Sequence, residues 1–219
     1  AFFLALIVLG VSVWQFIVAS VALDAGEPGG LRMFLAIVGL VASCGGGGNY
    51  KAPRNLENAC AIVAERPAYL RAMQKSERRW GIPIHVQMAT IHQESKFIGD
   101  ARTPHQYALG IIPIGRHSSA YGYSQALDGT WEEYQKETGN RRASRDDIED
   151  ATDFMGWYMD GTTKRLGVSK QDAGSQYLAY HEGRNGFANG SHRGKPWLVS
   201  VAGKVQARSE LYRMQLASC

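Results

Sequence analysis

The run Ile91-His92-Gln93-Glu94-Ser95-Lys96-Phe97 closes a segment that Pro83 opens and that repeats Ile84, Met88 and Ile91 at helical spacing. That period predicts an amphipathic helix with the three apolar residues facing inward. Glu94 stands three residues beyond Ile91, on or beside the inward stripe. A carboxyl held against apolar neighbours resists ionisation, so its pKa rises. Such a group can deliver a proton near neutral pH, as a general acid must. The alternative is a Glu in a local ion pair at a helix end, because charged side chains mostly occupy solvated faces.

Helical signals continue on both sides. Upstream, Pro67 to Trp80 reads as a helix with Leu70, Met73 and Trp80 inward, opened by a proline in its first turn and broken by Gly81. Downstream, a helix carries Trp131 and Tyr134 and stops at Gly139. Another runs from about Arg145 to Leu166 behind Ser144-Arg145-Asp146-Asp147, with Ile148, Ala151, Met155, Tyr158 and Met159 inward and Gly167 as its stop. Ser169-Lys170-Gln171-Asp172 opens a helix expected to end near Tyr180. Pro196 opens a last one to Leu216, with Trp197, Val201, Val205, Arg208 and Tyr212 inward. Between Ile98 and Tyr121 the period dissolves around Pro104, Gly110, Pro113 and Gly115. This is a long loop with room for a small hairpin, and loops of that length in compact domains tend to be functional. The fold class is therefore mainly α.

The first residues have a different character. Ala1 to Leu23 carries no charge and is long enough to span a bilayer. After Asp24-Ala25-Gly26-Glu27-Pro28-Gly29-Gly30, a second apolar run from Phe34 to Ser43 leads into Val41-Ala42-Ser43-Cys44. That string resembles a bacterial lipobox, and the run suits a signal-peptide core. The expected organisation is a hydrophobic membrane or signal segment at 1–43, a lipidation site and tether at 44–59 with Cys44 acylated, and a catalytic domain at 60–219. Translation is expected to start near Met33, leaving residues 1–30 out of the mature protein. A second membrane helix or hairpin is the alternative for the two apolar runs. They carry no polar face of the kind a pore needs. Gly45 directly after Cys44 leaves outer-membrane sorting open, so the expected location is the periplasmic face of a bacterial membrane, the outer rather than the inner one.

Cys60 and Cys219, the remaining cysteines, stand near the two ends of the folded region. An exported protein would join them in a disulfide, and closing so long a loop stabilises by roughly 4–5 kcal/mol in loop-closure entropy. No HExxH or CxxC pattern occurs, so neither metal nor cofactor is expected. Setting aside Asp24, Glu27 and Arg32 leaves 23 basic and 18 acidic residues, a net of +5. A modest positive charge suits an anionic polymer, but there is no dense basic patch with interleaved aromatics such as nucleic acid would require.

Three short motifs line up in order: Glu94-Ser95; Gly122-Tyr123-Ser124-Gln125; and Ala179-Tyr180-His181-Glu182-Gly183. This order and spacing resemble the soluble lytic transglycosylase (SLT) domain, a lysozyme-like fold related to goose-type lysozyme. The family carries a Glu-Ser pair, a Gly-Leu-Met-Gln motif and an Ala-Tyr-Asn-x-Gly motif. The resemblance covers roughly residues 65–216 and implies a monomeric enzyme acting on peptidoglycan glycan strands. Glu94 would protonate the glycosidic oxygen between N-acetylmuramic acid and N-acetylglucosamine. It would then take the proton of the muramic C6 hydroxyl as a 1,6-anhydro ring closes. Ser95 would orient Glu94, and Gln125 would contact sugar or buttress Glu94. Tyr180 would set its hydroxyl near the catalytic carboxyl or the substrate's acetamido group. Tyr123-Ser124 replaces Leu-Met and would keep a polar tip near the groove. His181-Glu182 replaces Asn and its neighbour. His181 would stack on sugar, and Glu182 invites a rival reading as a second carboxylate that activates water, which would make the protein a lysozyme-type hydrolase. A non-catalytic wall-binding lipoprotein is the reading from another class. Trp197 stands where the family often has a tyrosine near the start of the last helix.

Overall fold

The computed structural model describes residues 50–108 and 111–219. The expectations for the segment 1–43, for lipidation of Cys44 and for the Gly45–Gly48 tether lie outside the described residues. The architecture is mainly helical. The elements are α1 (Ala59–Glu65), α2 (Pro67–Trp80), α3 (Ile84–Ser95), the hairpin strands β1 (His105–Ala108) and β2 (Ile112–Arg116), α4 (Asp128–Thr138), α5 (Ile148–Leu166), α6 (Ala173–Ala188), a 3₁₀ turn (Ser191–Gly194) and α7 (Pro196–Leu216).

Local chemistry explains most boundaries. Pro67 and Pro196 open α2 and α7 in the first helical turn, where a missing N–H costs nothing. Gly81 and Gly167 end α2 and α5 in the left-handed conformation. Asp147 caps α5 by accepting from the Glu149 and Asp150 amides, so that helix begins three residues later than Arg145. Asp172 caps α6 through the Ser175 amide. The short α1 was not expected; Asn58 caps it through the Ala61 amide, and it packs on α2 and α7.

α3 is the centre of the domain. It touches α2, α5, α6 and α7, and it is buried on nearly every side, not along the single stripe its pattern predicted. Most of the polar groups buried there are bonded, as buried polar groups need to be, although Gln87 Oε1 has no protein partner. His85 Nδ1 lies 2.8 Å from Ser209 Oγ, and Gln87 Nε2 donates to the Ile82 carbonyl at 2.8 Å. Around α3 lies a core of Ile62, Met73, Val86, Met88, Ile91, Phe97, Met155, Met159, Leu198 and Tyr212. A second, aromatic cluster of Trp131, Tyr134, Phe154, Trp157 and Tyr158 joins α4 to α5. Trp80 and Tyr180 pack against both.

Two inward assignments are corrected. Tyr69, not Leu70, is the core residue of its turn. Trp197 points out, 57% exposed, because Leu198 takes the interior position beside it. The expected disulfide is present: Cys60 and Cys219 are joined with their Cα atoms 6.0 Å apart. The long loop does hold a small antiparallel hairpin, β1 against β2, with a register shift between Gln106 and Tyr107.

Candidate active site

α3 ends at Ser95, one residue after Glu94. Lys96 caps it in the left-handed region (φ 54), its amide bonded to the His92 carbonyl, and Phe97 follows at φ 62. Two consecutive side-chain-bearing residues in that region cost on the order of 1–3 kcal/mol each. Phe97 helps to offset this: its ring is fully buried and stacks on Tyr69 at 5.8 Å. Among the described residues Gln125 is the one other non-glycine with positive φ. Backbone strain thus gathers at the first two motifs, as it does at functional sites in general.

Glu94 is partly open to solvent yet crowded by protein, and this burial pushes its carboxyl up to about 7. The Tyr177 hydroxyl, as a hydrogen-bond partner, and the Lys96 ammonium both pull the other way without cancelling the effect. The carboxyl is therefore divided between acid and base near neutral pH.

The second motif is placed by Gly122. Its φ is 81, and a Cβ there would lie 2.0 Å from the Arg145 carbonyl oxygen, so no larger residue fits. Gln125 staples the loop, its side-chain nitrogen donating to the Ala101 and Gly122 carbonyls, each at 2.9 Å. That is the buttressing role, directed at the loop and not at Glu94. Ser124 is fully buried; its carbonyl accepts the Tyr180 hydroxyl at 2.7 Å, and its own hydroxyl is buried without a protein partner.

The third motif sits on α6. Tyr180 bonds to the second motif as just described and lies near enough to Glu94 that the two negative forms would repel. With burial as the larger cause, this raises the phenol's pKa well above its ordinary value. Glu94, Tyr180 and Ser124 are thus brought together. Tyr177 joins them and was missed from sequence, although it stands one helical turn before Tyr180 on the same helix; the same interaction with Glu94, after burial, raises its phenol.

Other expected site residues lie elsewhere. Tyr123 does not reach the groove: it is 4% exposed, in the core, with its hydroxyl 3.1 Å from that of Tyr69. Ser95 is buried and bonds back to the Ile91 carbonyl at 3.3 Å, so its hydroxyl serves the helix and does not orient Glu94. Glu182 is also corrected. Its side chain is 4% exposed and meets Lys195 Nζ at 2.9 Å, with further bonds from Ser191 and His181. The Lys195 and Ser191 bonds, then His181, hold its carboxyl down at about 2. A carboxylate so tightly satisfied is a poor base for water. Gly183, with φ 75 and ψ 154, kinks α6 directly after Glu182, and the chain beyond it supplies Ser191 and Lys195 to that carboxylate. His181 lies at the surface, edge-on to Trp197 at 5.5 Å and 6.3 Å from Tyr177.

A family model described as transglycosylase SLT domain matches residues 32–219. No curated protein matches the chain.

Proposed function

The chain belongs to the transglycosylase SLT domain family, a domain of peptidoglycan-cleaving enzymes, and on that premise we propose that it is a lytic transglycosylase with Glu94 as its single acid and base. In the first step the protonated Glu94 gives its proton to the glycosidic oxygen as the bond from muramic C1 breaks. The N-acetylglucosamine hydroxyl leaves, and the substrate's own acetamido group covers the developing charge at C1. In the second step the Glu94 carboxylate takes the proton of the muramic C6 hydroxyl while O6 bonds to C1. The proton is back on Glu94, no water is consumed, and a 1,6-anhydro ring results. This departs from glycosidases that pair two carboxylates.

The observation that carries the reading is the crowded Glu94 carboxyl, with a pKa of about 7, suited to both halves of the cycle. Glu182, the rival second carboxylate, is occupied by Lys195. The test is the mass of muropeptides released from purified sacculi by the parent and by Glu94→Gln. Anhydro-muramic ends from the parent and none from the variant are expected. Ends heavier by one water would make it a lysozyme-type hydrolase, and binding without release would make it a wall-binding protein. We also propose, from Val41-Ala42-Ser43-Cys44, that Cys44 carries lipid and tethers the domain to the periplasmic face of a membrane. An unmodified Cys44 in mass spectra of the membrane fraction would refute it.

A further inference from the structure

Beside Glu94, on the adjoining face of α3, a groove of about 490 Å³ runs between α3 and α7. Its apolar floor is Ala207 and Leu211, with Ala89 and Val205 buried beneath, and Lys96, Lys204 and Arg208 stand along it. Arg208 is paired with Glu57 at 3.0 Å. Among the described residues neither Lys96 nor Lys204 has a carboxylate within ion-pair distance; Lys96 Nζ instead lies 3.3 Å from His92 Nδ1. His92, also on the groove, is driven down to about 4, first by burial and then by the Lys96 and Arg208 cations, with Glu57 opposing, so it adds no charge at neutral pH. The groove therefore carries a net positive charge, with Lys96, Lys204 and Arg208 against the Glu57 carboxylate, which lies 4.0 Å from His92 Nε2. It adjoins the catalytic carboxyl through Gln93, which lines the groove, precedes Glu94 and shares the Tyr177 hydroxyl with it.

We propose that this groove binds the stem peptide of the peptidoglycan strand being cut, its carboxylates on Lys96 and Lys204 and its small apolar side chains on the floor. The inference rests on the reading of Glu94 as the cleaving group, since that reading places a muramic residue, which bears the peptide, beside α3. Charged peptide carboxylates supply what the two lysines lack, and small apolar side chains suit a floor of Ala207 and Leu211. A bare glycan strand would leave the groove unused.

The test is calorimetric binding to the full chain in detergent, carrying Glu94→Gln to prevent turnover. The probes are a GlcNAc–MurNAc disaccharide with its stem peptide, the same compound with carboxamides for carboxylates, and the peptide-free sugar with its lactyl carboxyl amidated. The carboxylate form should bind roughly three- to tenfold more tightly at low salt, as exposed charge pairs allow. The amidated form should lose most of that advantage. Lys204→Glu should bring the ratio of carboxylate to peptide-free affinity to about one, and Lys204→Arg should preserve it. If all three probes bind alike or not at all, or if Lys204→Glu weakens each equally, the proposal is overturned. The catalytic reading fails separately: a parent enzyme that releases no anhydro ends while the affinity ratio persists would lose that assignment and keep the groove.

Discussion

Glu94 and Glu182 are the same residue type in two of the three motifs, and the fold treats them in opposite ways. Glu94 ends a helix buried on nearly every side, with a phenol and an ammonium nearby that do not neutralise it, and its carboxyl sits at about 7. Glu182 sits at the kink of α6, grasped by Lys195 and Ser191, and sits at about 2. A carboxylate with every lone pair satisfied is a structural tie, whereas one denied such partners holds a proton it can give away. Motif membership alone does not separate the two; the backbone turn after each does. Lys96 and Phe97 turn the chain in the left-handed region just past Glu94, while past the Gly183 kink the chain brings Ser191 and Lys195 to Glu182.

The contrast can be broken most directly by activity. Glu94→Gln should lower the release of glycan fragments by about 10²–10⁴-fold, while Glu182→Gln should stay within a few-fold of the parent; comparable losses would end the distinction. Stability against pH gives the next largest effect. Glu94 has an ordinary value of 4.5 and a folded value of about 7. Its contribution is therefore fully present below pH 4.5 and lost as pH rises through 7, by about 3 kcal/mol. In denaturant titrations Glu94→Gln should thus be more stable than the parent at pH 8, with the advantage shrinking toward pH 4. Glu182 has the reverse sign: its depressed value gives stability that is present above pH 4.5 and lost as pH falls toward 2. Glu182→Gln should therefore melt lower than the parent at pH 7 and converge with it in acid.

A smaller effect sharpens the Glu94 side. Tyr177→Phe removes a hydroxyl that lowers the Glu94 pKa, so the alkaline limb of the pH–rate profile should move upward. A fixed limb would mean that Tyr177 does not act on the carboxyl. The smallest effect is that of Lys195→Met. It should lower the melting temperature through the loss of the Glu182 pair and leave the Glu94 limb where it was.

Much of this was legible in the sequence where one residue dictates local geometry. Pro67, Gly81, Gly167, Asp172 and Pro196 set their boundaries by ring closure, left-handed backbone or capping, and these act without tertiary help. α1 was not legible, because seven residues are too few to show a period and packing on α2 and α7 holds it. The helix expected to end near Tyr180 continues through a kink at Gly183 to Ala188, because the kink lets the chain turn without ending the helix. At the site, the position of Glu94 on a buried helix followed from Ile84, Met88 and Ile91. The fates of Tyr123 and Ser95 did not, because a polar side chain in a motif looks the same whether it faces a groove or finds its partner inside. Tyr177 carried a signal that went unread, its three-residue spacing from Tyr180.

The Cys60–Cys219 bond makes residues 60–219 a covalent ring. A protease that cuts the exposed hairpin around Ile111 and Ile114, 79% and 62% accessible, would open that ring without releasing a fragment. The nicked protein would stay one molecule, with its helices in place, until a reductant separated the halves. Wherever disulfides persist, this exposed hairpin is thereby a point at which a single cut does not dismantle the domain.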